Sequence, residues 1–432
     1  MQHFYIIADD LTGANDAGVQ LSKIGIASTV FLDFKAAPVQ HSGHVAIIDT
    51  DSRGISDQAA YDRVSEASAI FHGQGYEHVY KKMDSTLRGN VAAELAAVVS
   101  VHQPEVVVIA PAYPKMNRET IAGYQYVNGQ PVSETEFGRD PKTPVRDSFI
   151  PNLFQQYVDV NRICLIGQEQ LNGPSEQLMN EIAANIAEGR TWFICDAKTD
   201  DDLIVIADVF SRVKKRTVWA GSAGLIEYLP DALQLDKASD RAKEQLAISK
   251  TLTVSASLSH VTKQQLELVR TMPGTCFVEI DPVELIRQTY VVQDVLDALA
   301  DESDKKHFVL FVDASEKNRK ATKVLETELS LSKTDISEAI SRELGKIAHE
   351  IVNSFDDIRG LILTGGDTAK AVCNQLDMNQ MQLYTEVEVG LPLGKLKNAA
   401  GTSMYWTVTK AGGFGNEDSL VNVLKYMSGE DE

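Results

Sequence analysis

The chain is poor in cysteine, has no long apolar run and carries no excess of positive charge. Its four cysteines, Cys164, Cys195, Cys276 and Cys373, lie far apart without a CxxC pair, and they read as buried free thiols. No apolar run approaches the roughly 18 residues that span a bilayer, and no basic start leads into an apolar signal region. A soluble, cytoplasmic protein that does not bind membranes is expected. Lys and Arg number 41 against 61 Asp and Glu, a formal charge of −20, which argues against a general binder of nucleic acid. An anionic small substrate stays open, because screening mutes global charge beyond about 8 Å while one cation about 4 Å from a carboxylate is worth roughly 4 kcal/mol. Chemical signatures are missing too. There is no GxxxxGK followed by Ser or Thr; residues 390–395 hold only three residues between their glycines, which excludes a P-loop. No GxGxxG follows a strand, which weakens a dinucleotide reading, and the nine histidines show no HExxH or other zinc-like spacing. No metal ligand is singled out.

At 432 residues the chain exceeds the roughly 250 to 300 at which a single core stops growing, so two domains are expected. Residues 5–8 are an apolar run suited to a buried strand, and Ala14, Ala17, Gly18, Leu21 and Ile24 recur at helical spacing. Strands are then predicted over 28–32, 45–48, 78–83 and 105–110, with helices over 57–71 and 91–99 between them. Residues 111–150 break this rhythm with scattered prolines and glycines, the mark of a functional loop or hairpin. Alternation resumes with strands over 162–166, 191–195 and 217–219 and helices over 175–187 and 201–213. A charged stretch over 230–250 marks the boundary, giving domains over 1–235 and 236–432. The second domain reads as strands over 252–255, 276–279, 308–312, 360–363 and 404–408, with helices over 262–271, 283–300, 335–354, 368–376 and 418–427. The fold class is therefore α/β: two α/β domains, each a mainly parallel sheet flanked by helices.

In open α/β sheets, ligand crevices lie at the carboxyl ends of strands. Three such ends in the first half are charged: Asp9 and Asp10 after the first strand, Arg53 after the third, and Lys81, Lys82, Asp84, Ser85 and Arg88 around the fourth. If these strands are neighbours, cations and carboxylates converge. Arg53 and a lysine then suit a substrate carboxylate, while Asp9 and Asp84 suit hydroxyl groups, as acceptors or as a base. Asp10 or Thr12 is a candidate helix cap.

In the second half, residues 361–369 read as a strand, a turn through Gly365 and Gly366, and a helix start at Asp367 and Thr368. Glycines let backbone N–H groups approach phosphate oxygens, and a helix N-terminus favours negative charge. Gly412 and Gly413 open a second such turn, and Ser255, Ser257 and Ser259 supply hydroxyls at a third strand end. Together they point to a nucleotide phosphate site.

These residues resemble the four-carbon acid sugar kinase family. The likeness is carried by IADDLTGANDAG from Ile7, DSRG from Asp51, KKMDSTLRGN from Lys81, APAYPKMNRET from Ala110, VNGQPVSETEFGRDPKTPV from Val127, LTGGDTAKAV from Leu363 and KAGGFG from Lys410, and covers nearly the whole chain. It implies an N-terminal acid-sugar domain, a C-terminal ATP domain, and phosphate transfer to the terminal hydroxyl of a four-carbon aldonate, with Mg²⁺ bridging phosphates. On this chain Asp9, Arg53, Lys81, Lys82, Met83 and Asp84 would then be substrate residues, and Ser255, Gly365, Gly366, Asp367, Thr368 and Gly412 would hold ATP. Within the family, KKMDSTLRGN and the VNG segment resemble the D-threonate and D-erythronate kinases more than the 3-oxo-tetronate kinases, and D-threonate is the favoured substrate. A catalytically silent acid-sugar sensor is the alternative outside the kinase class. A homo-oligomer is compatible with the sequence.

Overall fold

Continuous apolar runs become strands buried on both faces, as parallel sheets require. The computed structural model describes residues 4–36, 44–76, 78–140, 142–237, 246–313 and 315–430, and the chain divides into two units, Met1–Ser239 and Asp240–Glu432. Within the charged stretch expected to divide the domains, residues 238–245 lie outside those described.

The first unit contains β1 (Phe4–Ala8), β2 (Ala27–Phe31), β3 (His44–Asp49), β4 (His78–Lys82), β5 (Val106–Ala110), β6 (Arg118–Ile121), β7 (Tyr124–Val127), β8 (Gln130–Pro131), β9 (Ile163–Ile166), β10 (Trp192–Cys195) and β11 (Thr217–Gly221). Eight of them form a wholly parallel sheet in the order β2-β3-β1-β4-β11-β5-β10-β9. The chain leaves β1 for β2 and β3 on one side and returns to β4 on the other, which makes β1 a topological switch point. Its sequence FYIIA is buried throughout, and the Tyr5 ring stacks on Phe71 at 5.2 Å while its hydroxyl bonds His102 Nε2 at 2.6 Å.

The irregular excursion over 111–150 is a small antiparallel sheet, β6-β7-β8. Val127, Val132, Val145 and Ile150 sink into the first unit's core. Asp196, just beyond β10, accepts the N–H groups of Ala122 (2.6 Å) and Gly123 (2.9 Å) at the β6–β7 turn. On the other side, Gln125 Nε2 donates to the Ser85 carbonyl at 2.7 Å.

The second unit contains β12 (Lys250–Ser255), β13 (Thr275–Glu279), β14 (His307–Phe311), β15 (Ile358–Thr364), β16 (Met378–Glu388), β17 (Leu391–Asn398) and β18 (Met404–Lys410). Their order is β13-β14-β12-β15-β18-β17-β16, parallel from β13 to β18 and antiparallel through β17 and β16. Leu266, Val309, Ile362, Val408 and Leu424 sit in its core.

Three expectations change. The helix predicted over 283–300 is two, Pro282–Arg287 and Val292–Asp301, because Gln288 ends the first in the left-handed conformation at φ 54°. The hairpin β16–β17 and the helix Glu316–Glu328 carry no continuous apolar run, and neither was expected; only Leu325 of that helix is buried. Cys195 and Cys373 are buried as expected, but Cys164 and Cys276 are half-buried, on strands that are themselves only partly covered. Among the described residues, no helix is long and apolar enough to cross a membrane.

Candidate active site

Because β3, β1 and β4 are adjacent, their carboxyl ends lie side by side. The β3–β1 junction is closed by backbone: the N–H groups of Ser52 and Arg53 donate to the Asp9 carbonyl at 2.9 and 3.2 Å. Asp9 is buried at 1% exposure and is gripped by a fork, with Arg53 Nε 2.7 Å from Oδ2 and Arg53 Nη2 3.1 Å from Oδ1. Arg53 Nη1 reaches Asp10 Oδ2 at 2.5 Å. Asp10 caps the helix Leu11–Lys23, its Oδ1 accepting the Gly13 N–H at 2.7 Å; it is thus both a cap and part of the charge cluster. A Cβ on Gly13 would stand 2.9 Å from Asp10 Oδ1 and 3.1 Å from Lys82 Nζ, so a side chain here would push on both charged groups. Burial raises the proton affinity of both aspartates. For Asp9 the cations Arg53, Lys81 and Lys82 reverse this and leave its pKa below the ordinary value, whereas Asp10, facing the Asp9 charge, stays above it.

On β4 the two lysines point to different partners, as alternation demands. Lys81 is fully buried, its Nζ 2.9 Å from Glu94 Oε2 on the helix Val91–His102, and Glu94 Oε1 also accepts the Ser52 hydroxyl at 2.5 Å. Lys81, expected among the substrate residues, thus has its ammonium paired inside the fold, while its charge also acts on Asp9. The Met83 side chain lies in the core at 1% exposure. Among the described residues Lys82 donates only to the Met83 carbonyl, at 3.1 Å, and its ammonium is among the charges acting on Asp9 and Asp10.

Asp84 receives Arg88 Nε at 2.7 Å and the Thr86 hydroxyl, both on Oδ2, so Oδ1 keeps its lone pairs for another donor. Burial would raise its pKa, but Arg88, Arg53 and these bonds hold it well below the carboxylate range. Arg88 also stands 3.6 Å from Asp140, and its guanidinium lies 5.0 Å from the Phe137 ring centroid. Arg118 of β6 lies over that same ring at 5.8 Å. It falls in a motif quoted above, yet nothing in the linear sequence distinguishes it from the other arginines of residues 111–150.

In the second unit, Ser255, Thr364 and Lys410 are register partners at the carboxyl ends of the adjacent strands β12, β15 and β18. Ser255 is buried and accepts the Thr364 hydroxyl at 2.7 Å. Gly365 follows at φ 93°, a left-handed conformation that favours glycine, and its N–H donates to the Lys410 carbonyl at 2.8 Å. It caps the helix Gly366–Gln375, whose first turn holds Asp367 and the buried Thr368. Ser257 Oγ accepts the Ser259 N–H at 3.2 Å, beside Gly412. Among the described residues, the N–H groups of Gly412 and Gly413 meet no protein acceptor. Lys410 opens the KAGGFG motif quoted above, yet nothing in the linear sequence separates it from the other lysines. It is 1% exposed, and its ammonium donates to Thr262 Oγ1 (3.1 Å) and to the carbonyls of Ala411 and Gly412 (both 3.0 Å). No carboxylate pairs with it among the described residues, and burial pushes its pKa down to about 8. Open N–H groups beside an uncompensated buried cation fit a polyphosphate.

A charge cluster at a parallel-sheet switch point, followed by a unit with phosphate-type turns, is the anatomy of a two-domain protein with a small-molecule site and a nucleotide site. Residues 4–229 match the sugar-binding N-terminal domain family and residues 252–420 the nucleotide-binding C-terminal domain family. The chain is 32% identical to a D-threonate kinase of Salmonella typhimurium, covering 98% of this chain and 97% of the relative. It is 30% identical to a D-erythronate kinase of Heliobacterium modesticaldum (99% and 97%) and 26% identical to a 3-oxo-tetronate kinase of Methylobacterium radiotolerans (98% and 98%). The fold is shared with the solved Haemophilus influenzae protein HI1011 (TM-score 0.76, 21% identity, 98% and 100% covered). The chain belongs to the four-carbon acid sugar kinase family.

Proposed function

We propose that this chain is an ATP-dependent D-threonate 4-kinase of the cytoplasm, moving the terminal phosphoryl group of ATP to the 4-hydroxyl of D-threonate and yielding 4-phospho-D-threonate and ADP. The observation that carries this reading is the chemical division between the units. The first holds ionised carboxylates with lone pairs to spare among cations; the second offers glycine turns with open N–H groups beside Lys410. Relatives called D-threonate kinase and D-erythronate kinase at 32% and 30% identity, against 26% for a 3-oxo-tetronate kinase, support a tetronate without the 3-oxo group.

In this reading Asp9, Arg53, Lys82, Asp84 and Arg88 surround the acid sugar. Asp9 and Asp84 accept its hydroxyl hydrogens on oxygens that Arg53 and Arg88 hold still, and one of the two takes the 4-hydroxyl proton. A carboxylate of low pKa suffices, because in a loose phosphoryl-transfer transition state the protein acts mainly by positioning and by stabilising charge. Ser255, Ser257, Gly365, Gly366, Asp367, Thr368, Gly412 and Gly413 hold the nucleotide. Mg²⁺ would supply charge neutralisation on its phosphates; that ion usually takes only one or two protein carboxylates, and Asp367 in the first helical turn offers one.

The test is a coupled ADP-release assay over D- and L-threonate, D- and L-erythronate and their 3-oxo forms. The highest kcat/KM is expected for D-threonate. A higher value for another acid overturns the substrate, and no turnover of any overturns the kinase reading.

A further inference from the structure

We propose that Arg118 is the residue that receives the carboxylate of the substrate, an assignment that rests on the reading of the chain as a kinase of a four-carbon acid. An anion entering the first unit needs a cation not already claimed by the protein. Arg53 is held by Asp9 and Asp10, Lys81 by Glu94, and Arg88 by Asp84 and Asp140. Lys82 faces the negative charges of Asp9 and Asp10. Among the described residues neither Arg118 nor Lys82 forms an ion pair with a carboxylate, and of the two only Arg118 is a planar fork, its Nε buried without a hydrogen-bond partner.

The shape of the open edge identifies the ligand. Arg118 Nη1 donates to the Met116 carbonyl, which leaves Nε and Nη2 side by side. That edge is the one through which Arg53 grips the Asp9 carboxylate, Nε to one oxygen and Nη2 to the other, and a planar fork matches a carboxylate bidentately. Arg118 is also held in place. Its N–H donates to the Tyr113 carbonyl at 3.1 Å and its carbonyl accepts the Tyr113 N–H at 2.8 Å. Thr120 donates to Gln125, which in turn donates to the Ser85 carbonyl, each at 2.7 Å, tying β6 and β7 to the loop that carries Asp84. Arg118 and Arg88 share the Phe137 ring and the Asp84 charge acts on Arg118, so the fork belongs to the same charge cluster as the carboxylate proposed to hold a hydroxyl.

The experiment compares each four-carbon acid with the neutral tetritol of the same hydroxyl configuration, in the full-length wild type, R118Q and R118K, with melting temperatures measured in parallel. A fork lost from a charged ligand predicts that the ratio of kcat/KM for the acid to that for the tetritol falls by about 10- to 100-fold in R118Q. A smaller fall is expected in R118K, which keeps the charge without the fork and serves as the folded control. An unchanged ratio in folded R118Q or R118K overturns the role of Arg118 alone. A wild type that turns over no acid overturns the proposed function, and the assignment with it.

Discussion

Lys81 and Glu94 form an ion pair at 2.9 Å with both side chains at 1% exposure, and replacing Lys81 with Met is the most informative single perturbation of the first unit. The variant leaves Glu94 buried without its cation partner, accepting the Ser52 hydroxyl. Removing one member of such a pair costs about 3 to 5 kcal/mol. For a unit spanning Met1–Ser239, at about 2 to 4 °C per kcal/mol, this predicts a melting temperature lowered by about 6 to 20 °C. The double variant K81M/E94Q removes both charges and keeps an acceptor for Ser52, so it should regain most of the loss. Because Ser52 adjoins Arg53, whose backbone and side chain both hold Asp9, the single variant should also weaken acid-sugar binding, and the double variant should restore it. Scanning calorimetry and the KM for the acid report the two effects. A melting temperature within about 2 °C of wild type in K81M would show that the buried-pair reasoning fails. A double variant that refolds but still binds the acid poorly would return Lys81 to direct contact with substrate.

Asp84→Asn should reduce turnover by about 10²- to 10⁴-fold with ADP affinity unchanged by calorimetry; loss of nucleotide binding alone would refute the division between the units. Gly365→Val places a β-branched residue at φ 93°, which costs on the order of 1 to 3 kcal/mol, and ADP affinity should fall about 5- to 150-fold while acid-sugar binding is kept. Equal loss of both ligands would count against it. Lys410, with a pKa of about 8, binds phosphate as the cation, so ADP affinity should drop about tenfold between pH 7 and pH 9. That dependence should vanish in K410M, and its survival there would clear Lys410 of the role. For stability the sign runs the other way: an unfolded lysine keeps its proton up to about pH 10.4 whereas the buried one loses it near 8, so burial of Lys410 penalises the fold less as pH rises through that window.

Local pattern was enough to foresee the alternation of strands and helices, because buried parallel strands must be apolar over four or five residues and their helices must repeat every three or four. It also marked the polar strand ends at Asp9, Arg53, Asp84, Gly365 and Gly412, since charged and glycine-rich residues stand out against apolar runs. Elements without such contrast stayed hidden, among them the polar hairpin Met378–Asn398 and the helix Glu316–Glu328.

Strand order is a different matter, for no local pattern says that β1 lies between β3 and β4. That order decides which charges meet: Arg53 finds Asp9 across 44 residues of chain, and Lys81 is drawn inward to Glu94. Arg118 with its unpaired Nε and Lys410 without a carboxylate fall in quoted motifs, but their character comes from partners they lack among the described residues. A missing partner is a property of three-dimensional surroundings. The sequence alone therefore determined where polar chemistry could gather, and the tertiary structure decided which of those groups are already satisfied and which are left for a ligand.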